Sequence, residues 1–385
     1  YLDERDRNDY FRPSQSLFKQ YCEDIATRYN LSNLVQKSEV RSITYDAAPT
    51  SSSSGIFTLQ TSTGTKKARI VVLAIGAALK PTLPPDCPFC GLDVRGSVTH
   101  AFMKQSLTKS SIIPEQVLAK IQSKKQISCV VIGGGLTSAQ VTALLIASGV
   151  TKVYHLMRGS MKVKPFDIDL PWIGKYKNFH LASFWSADED QERWEMMRDA
   201  RGGGSITPEY KAILNKLVKE RKVELVERTN VVGAEWDDDS LKWRLKTNPL
   251  VEDMPTIDHV VYATGIAADF NSVPAVKQLM EDVPVEMVGG MPCLTNDLMW
   301  SEEMPFFVTG RLAGLRLGPG AANLEGARQG AERVAWKVGD LLMEWKGSLD
   351  EADSGYGNEQ DGEVDSRRLG LGRKNQFEVL GLESD

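Results

Sequence analysis

One stretch of the chain combines residue types and spacing suited to holding a diphosphate. Val130-Val131-Ile132-Gly133-Gly134-Gly135-Leu136-Thr137-Ser138-Ala139 runs from an apolar strand pattern into a helix pattern. A glycine turn in that setting is a dinucleotide fingerprint. Gly133 permits the tight turn and Gly135 lets a pyrophosphate approach the backbone. Ser138, small like the usual Gly or Ala, allows the helix to pack on the strand. Gly134, Leu136 and Thr137 complete the turn, and the helix start directs amides and partial positive charge at the phosphates. The competing reading is a glycine-rich turn in some other α/β fold.

The next strand decides which dinucleotide is expected. An NAD site wants an acid at the end of that strand to bind the ribose hydroxyls. Here the strand ends His155-Leu156-Met157-Arg158, with no Asp or Glu, and Lys162 and Lys164 follow. A guanidinium at Arg158, with Lys162 nearby, suits a 2′-phosphate, so NADPH is expected. The alternative is a solvated basic loop.

Further residues with chemical potential are scattered. Val71-Val72-Leu73-Ala74-Ile75-Gly76 and His259-Val260-Val261-Tyr262-Ala263-Thr264-Gly265 are apolar strands ending in a small-x-Gly. A glycine there, Gly76 or Gly265 with Thr264, lets backbone run beside a cofactor. Gly318-Pro319-Gly320-Ala321-Ala322-Asn323 puts small residues, Gly320 and Asn323 among them, at the start of a last helix. That start reads either as a cofactor approach or as an ordinary Gly-Pro entry. Cys87-Pro88-Phe89-Cys90 reads as a redox dithiol or as a plain loop, and no second C-x-x-C supports zinc. His100 either faces a ligand or is structural. The tryptophans at 172, 185 and 194 either line a pocket or pack a subdomain. Gly202-Gly203-Gly204 reads as an anion nest or as the entry to a helix capped by Thr207.

Elements to position these residues follow from periodicity. Ser14 caps a helix to about residue 30, with Leu17, Phe18, Tyr21, Cys22, Ile25 and Ala26 at helical spacing. Strands near 40–45, 56–60 and 68–73 make a β-meander, and 74–96 is a crossing loop. The strand at 127–132, the helix at 139–148 and the strand at 152–157 begin a βαβ unit. Residues 166–204 read as irregular, 208–221 as a helix, and 223–226, 259–263 and 305–309 as strands. The last helix carries Ala327, Ala331, Val334, Ala335, Val338, Leu341, Leu342 and Trp345 on one face.

Composition excludes several classes. The 385 residues are 42% hydrophobic and 25% charged with a net charge of −5, which argues against disorder, nucleic-acid binding and anionic membranes. Ten acidic and four basic residues lie in 347–385, so that tail is expected to be acidic and disordered. Five cysteines make no disulfide framework, which fits a reducing, cytoplasmic setting. The uncharged run 127–151 is broken by three glycines and reads as strand plus helix, not as a membrane span.

The Ala-Ile-Gly76 and Ala-Thr-Gly265 pair, the meander and the central Gly133-Gly134-Gly135 resemble the two-dinucleotide-fold flavoprotein oxidoreductases. The chain is most similar to the flavin-containing and N-hydroxylating (lysine/ornithine-type) monooxygenases. Arg12-Pro13-Ser14, Gly96-Ser97-Val98-Thr99-His100 and Phe306-Phe307-Val308-Thr309-Gly310 agree, and the resemblance spans about 12–346. It implies an α/β fold of two Rossmann-like lobes, with an NADPH lobe at 126–270 inserted in an FAD lobe made of 1–110 and 291–346. Residues 271–290 connect the two. The family's N-terminal GxGxxG unit for FAD is not in this sequence, and Gly310-Arg311 stands where the family often has Gly-Asp. The implied activity is FAD- and NADPH-dependent oxidation of a small molecule, with hydride passing to flavin and oxygen activated there. Two alternatives stand beside it: a flavin-dependent disulfide reductase using Cys87 and Cys90, and a non-catalytic dinucleotide-binding module.

Overall fold

The computed structural model describes residues 14–47, 55–76, 81–89, 97–102 and 113–353. Arg12, Pro13, Cys90, Gly96 and residues 354–385 lie outside the described residues, while 347–353, expected to open the disordered tail, continue the last helix. The Ser14 hydroxyl accepts from the Leu17 amide at 3.2 Å and starts α1 (Gln15–Arg28) as expected. The described residues leave the apolar stripe of α1 uncovered, with Leu17 58% and Tyr21 56% exposed.

β1 (Val40–Asp46), β2 (Ile56–Thr61) and β3 (Gly64–Ala68) form the antiparallel meander. The strand expected at 68–73 divides in two. Ser62-Thr63 closes a two-residue turn with Thr61 opposite Gly64, so pairing starts at 64. The remainder becomes β4 (Val71–Leu73), which joins another sheet.

β5 (Val98–His100) and α2 (Glu115–Gln122) precede β6 (Ser128–Ile132), α3 (Leu136–Ala147) and β7 (Lys152–Leu156). The span 166–204, expected to be irregular, holds α4 (Lys177–Trp185) and α5 (Asp190–Arg201). The end signals of α5 explain the difference. Asp190 and Glu192 occupy its first turn and Arg198 and Arg201 its last, which suits the helix dipole, and Gly202 closes it at φ 58°. Thr207 and Pro208 open α6 (Pro208–Lys219) as expected. After β8 (Val223–Val226) comes an antiparallel hairpin that periodicity did not reveal, β9 (Asn230–Asp237) and β10 (Lys242–Asn248), and then β11 (His259–Tyr262).

β5, β11, β6, β7 and β8 form one parallel sheet in that order. Apolar side chains pack both of its faces, which is why β6 and β11 read as unbroken hydrophobic runs. Asp258 fastens the sheet. Its fully buried carboxylate accepts from Lys120 at 2.7 Å and from the Ser128 amide at 3.0 Å, and Lys242 lies 3.4 Å away. The chain leaves β6 toward β7 and β8, then returns as β11 on the other side of β6. The strand order therefore reverses between β6 and β11, where a doubly wound sheet opens a crevice for ligands.

The second layer follows with α7 (Lys277–Asp282), β12 (Met287–Val288), β13 (Met291–Pro292), β14 (Met299–Ser301), β15 (Met304–Val308), α8 (Gly314–Leu317) and α9 (Leu324–Asp353). β15 pairs in parallel with β4 and antiparallel with β14. Phe57, Phe270, Trp300, Phe306 and Phe307 form the centre of this core, and Val334 and Leu341 of α9 cover it. The apolar face of α9 is narrower than its sequence suggests, since Leu342 is 51% exposed. Val273, Val276 and Leu279, in the span expected to be a connector, are buried in this same core. Val98–His100, within the expected 1–110 lobe, pairs instead with β11 in the other sheet. Among the described residues no helix is long and apolar enough to cross a membrane.

Candidate functional site

The turn Gly133–Ser138 lies where β6 passes into α3, at the reversal of strand order. Gly133 has φ 157°, and a Cβ on it would stand 2.4 Å from the carbonyl oxygen of Ala263 at the end of β11. The glycine is therefore required by close packing of two strand ends. Thr264 and Gly265 follow immediately, so these two predicted groups meet in one crevice.

His155 holds the turn in shape. It is fully buried in β7, and its Nε2 lies 2.8 Å from the Gly133 carbonyl and 2.9 Å from Ser138 Oγ. Ser138 Oγ in turn donates to the Gly135 carbonyl at 2.6 Å. Both neighbours of Nε2 accept, so that nitrogen carries the proton and Nδ1 is bare. Nδ1 is buried without a partner among the described residues. Burial pushes the ring pKa down to about 4, against the opposing effect of the Gly133 hydrogen bond. The one sequence signal for His155 is an imidazole inside an otherwise apolar strand end, Val153 to Met157.

A second glycine loop stands against the turn. A Cβ on Gly204 would lie 3.1 Å from Gly135 N and 3.2 Å from its Cα. The backbone that comes near Gly135 in this structure is thus the chain's own. Lys162, expected to meet the nucleotide, donates to the Gly202 carbonyl at 2.5 Å, and Lys164 donates to the Arg201 carbonyl at 3.0 Å. These lysines hold the loop that ends α5. The Thr264 hydroxyl is also engaged: it donates to the Thr82 carbonyl and lies 3.3 Å from His100 Nε2. His100 Nδ1 accepts from the Phe102 amide at 3.1 Å, so His100 braces this strand end. Burial lowers its pKa, with a backbone hydrogen bond at Thr82 opposing.

Arg158 is exposed just past β7 and has no hydrogen bond or ion pair among the described residues. Beside it, Arg228, just past β8, donates from Nε to Ser160 Oγ at 3.0 Å. Two guanidinium groups and a hydroxyl therefore border the loop after β7. Arg228 belongs to a neighbouring strand, which hides the pairing from the sequence.

The other predicted glycines form a second set. Gly76 and Gly310 follow β4 and β15, which are adjacent parallel strands, and have φ of 55° and 71°. Gly320 and Asn323 lie in the turn before α9; the Asn323 amide donates to the Gly320 carbonyl at 2.8 Å. Among the described residues, a Cβ on Gly76, Gly265, Gly310 or Gly320 would have no atom within 4 Å. These four positions leave room for a group to lie against the backbone, as a flavin or nicotinamide dinucleotide requires.

Two arginines join the sets. Arg311 Nη1 donates to the Ile266 carbonyl at 3.3 Å, beside Gly265. Arg201 Nη2 donates to the Pro319 carbonyl at 3.1 Å, beside Gly320, while its Nη1 pairs with Asp167 at 3.1 Å. Burial and the nearby charge of Arg201 hold Arg311 below the usual arginine pKa, opposed by Asp167. A guanidinium thus occupies the position where the resemblance implied an acid.

A model of the L-lysine 6-monooxygenase/L-ornithine 5-monooxygenase family matches residues 6–268. The chain belongs to this family. No curated protein matches the sequence. Among solved structures, an ornithine hydroxylase from Pseudomonas aeruginosa is 16% identical with TM-score 0.60, covering 86% of this chain and 76% of that one. An ornithine N-hydroxylase from Kutzneria sp. 744, whose structure holds reduced FAD, NADP+ and L-ornithine, is 16% identical with TM-score 0.61, covering 88% and 80%. A bacillithiol disulfide reductase from Bacillus cereus is 16% identical with TM-score 0.50, covering 85% and 78%. At these identities the likeness is one of fold, and it is the two-lobed α/β fold expected of this monooxygenase family.

The remaining candidates are placed by packing. Cys87 is buried with Phe89, Trp243 and Tyr262, and its thiol donates to the Tyr262 hydroxyl at 3.4 Å. Cys90 lies outside the described residues. Trp172 packs edge-on to Phe184, and the Trp194 ring fills the space a Cβ on Gly289 would need. Trp185 is 43% exposed and borders a separate cleft. Among the described residues no group of three or more His, Cys, Asp and Glu side chains is arranged to hold a metal.

Proposed function

We propose that this member of the lysine/ornithine monooxygenase family binds FAD and NADPH and N-hydroxylates a primary amine on a small molecule. The observation that carries the reading is the pair of glycine cradles, Gly133–Ser138 with Gly265 and Gly76 with Gly310, joined through Arg201 and Arg311. Flavin, when bound, would take hydride from NADPH and activate oxygen, so the protein supplies position and shielding.

The chain's own residues have distinct tasks in this reading. The α3 N-terminus and the turn pinned by His155 receive the nucleotide diphosphate, with Gly202–Gly204 as one wall. Arg158, supported by Arg228 and Ser160, selects the 2′-phosphate of NADPH over the free hydroxyl of NADH. Gly76, Gly310 and Gly320 leave their backbone open to the flavin. Arg201 and Arg311 keep the two cofactor positions in register and add positive charge between them. Such charge favours the anionic form of reduced flavin.

The test is turnover of the full chain with added FAD, NADPH and either L-ornithine, L-lysine or cadaverine. NADPH consumption coupled to appearance of a hydroxylamine supports the reading. No FAD binding and no NADPH oxidation would leave a nucleotide-binding module instead.

A further inference from the structure

Outside the candidate cofactor site lies a second concentration of positive charge. Trp185 at the end of α4, Arg193 of α5, Asn296, Leu315 and Arg316 of α8, and Arg333 of α9 line a cleft of about 260 Å³. None of the six belongs to either glycine cradle. Three guanidinium groups border this space, and one carboxylate answers them directly. Asp190 takes both terminal nitrogens of Arg316, Nη2 at 3.0 Å, and Nη1 of Arg193 at 2.7 Å. Burial pushes the Asp190 carboxyl up, but the hydrogen bonds from Arg316, Cys293 and Arg193 outweigh it and hold it below the usual range. Asp190 is therefore ionised, and the four side chains carry a net charge of about +2.

Arg333 is the uncompensated member. It has no carboxylate within ion-pair distance among the described residues. Its Nη1 reaches two backbone carbonyls at long range, Asn296 at 3.4 Å and Arg316 at 3.3 Å, and its guanidinium lies 5.3 Å over the Trp185 ring. Burial holds its pKa below the usual value, partly offset by Asp297, and the charge of Arg316 adds to the lowering. The cleft therefore carries a guanidinium that no carboxylate answers among the described residues, beside an Arg193–Arg316–Asp190 cluster that is itself positive, and an anion supplies the missing counter-charge.

We propose that this cleft is a binding site for a small organic oxyanion, a carboxylate or a phosphate ester, with the Arg333 guanidinium as its donor, the positive Arg193–Arg316–Asp190 cluster beside it and the Trp185 ring as its apolar wall. The volume lies just below the roughly 300–1,000 Å³ of drug-sized pockets, so it admits a metabolite-sized anion and not a dinucleotide. Charge-assisted contacts to guanidinium supply the affinity, and the indole face accepts the carbon skeleton. The site is independent of the reading of the glycine cradles.

Isothermal titration of the full chain with inorganic phosphate and with malonate, at low ionic strength, tests the proposal. At least one probe should bind the wild type, bind Arg333→Gln at least tenfold more weakly, and bind Lys219→Gln, an exposed lysine outside both sites, unchanged. The tighter probe identifies phosphate or carboxylate as the preferred chemistry. Absence of binding by either probe overturns the proposal, as does binding that survives Arg333→Gln but is lost in Arg158→Ala. A measurement on the wild type needs no variant to fold. Phenylglyoxal modification mapped by mass spectrometry should show Arg333 protected by the bound probe, and equal modification with and without it refutes the site.

Discussion

His155 makes acid stability a direct report on the glycine turn at Gly133–Ser138. Its ring is neutral and enclosed, with Nε2–H on the Gly133 carbonyl and Ser138 and a bare Nδ1 that has no acceptor in front of it. Protonation puts a second N–H and a charge at Nδ1, where neither is matched. The folded pKa of about 4 lies below the unfolded value of 6.5. Between those values the unfolded chain binds a proton that the folded chain refuses, so stability rises with pH across that window. The contribution is complete above about pH 6.5 and is lost as pH falls toward 4. A drop from 6.5 to about 4 is worth about 3 kcal/mol, a large part of the stability of an ordinary domain.

The perturbation is His155→Gln, which keeps an N–H donor of similar reach and removes the titration. Urea unfolding of wild type and variant at pH 7.5, 6.5, 5.5 and 4.5 isolates the histidine, because other titrating groups contribute alike to both. The wild type should lose most of about 3 kcal/mol more than the variant between pH 6.5 and 4.5. NADP+ affinity of the folded wild type should hold over the same interval, because the folded ring stays neutral until pH falls to about 4. Parallel stability curves for the two proteins would refute the reasoning, because the ring would then titrate alike in both states.

Four further outcomes follow from the geometry. Gly133→Ala forces a Cβ to within 2.4 Å of the Ala263 carbonyl, so β6 and β11 must separate and NADP+ binding should be lost in calorimetry. Arg158→Ala should raise KM for NADPH by roughly tenfold while leaving KM for NADH nearly unchanged, and Arg228→Ala should give a smaller shift in the same direction; equal effects on both coenzymes exclude a 2′-phosphate contact. Asp258→Ala removes a fully buried acceptor shared by Lys120, Lys242 and the Ser128 amide, and should cost about 3 kcal/mol in urea unfolding. Exposed Cys22 should react with iodoacetamide in the folded chain at pH 8, while Cys293 should not, since burial and its hydrogen bond to Asp190 push that thiol up to about 12.

What the sequence disclosed, and what it hid, divides along a physical line. The turn at Gly133–Ser138 was legible because strand, glycines and helix are contiguous and their spacing alone defines the shape. Gly76, Gly265 and Gly310 were legible for the same reason, each ending an apolar strand. The helices of 177–201 were obscured because Trp, Lys and Phe alternate there without a clean apolar stripe, and only the charge gradient along α5 marks it. The β9–β10 hairpin was hidden because its one covered face packs on the parallel sheet, leaving Val232 50% exposed on the other side. The pairing of β5 with β11 joins segments more than 150 residues apart, and no local pattern encodes such a contact.

Side-chain duties were the least legible, and they alter how the site is understood. Lys162, Thr264 and Ser138 all occupy positions from which a cofactor contact is expected, yet each spends its polar atom on the chain itself: on Gly202, on Thr82 and His100, and on Gly135 and His155. Polar groups close to a nucleotide turn are needed first to satisfy the backbone that makes the turn. What remains for a ligand is backbone at the open glycines and the guanidinium groups at the margins. Among the described residues Arg158 is free past β7, and Arg201 and Arg311 donate to the carbonyls of Pro319 and Ile266. Arg311 also explains how a chain can depart from the acid expected after Gly310 and keep its architecture. The guanidinium donates to the Ile266 carbonyl, and Ile266 packs on the same apolar core as Leu312 and Ala313, so the arginine fastens the edge of that core with a bond that an acceptor-only carboxylate cannot make.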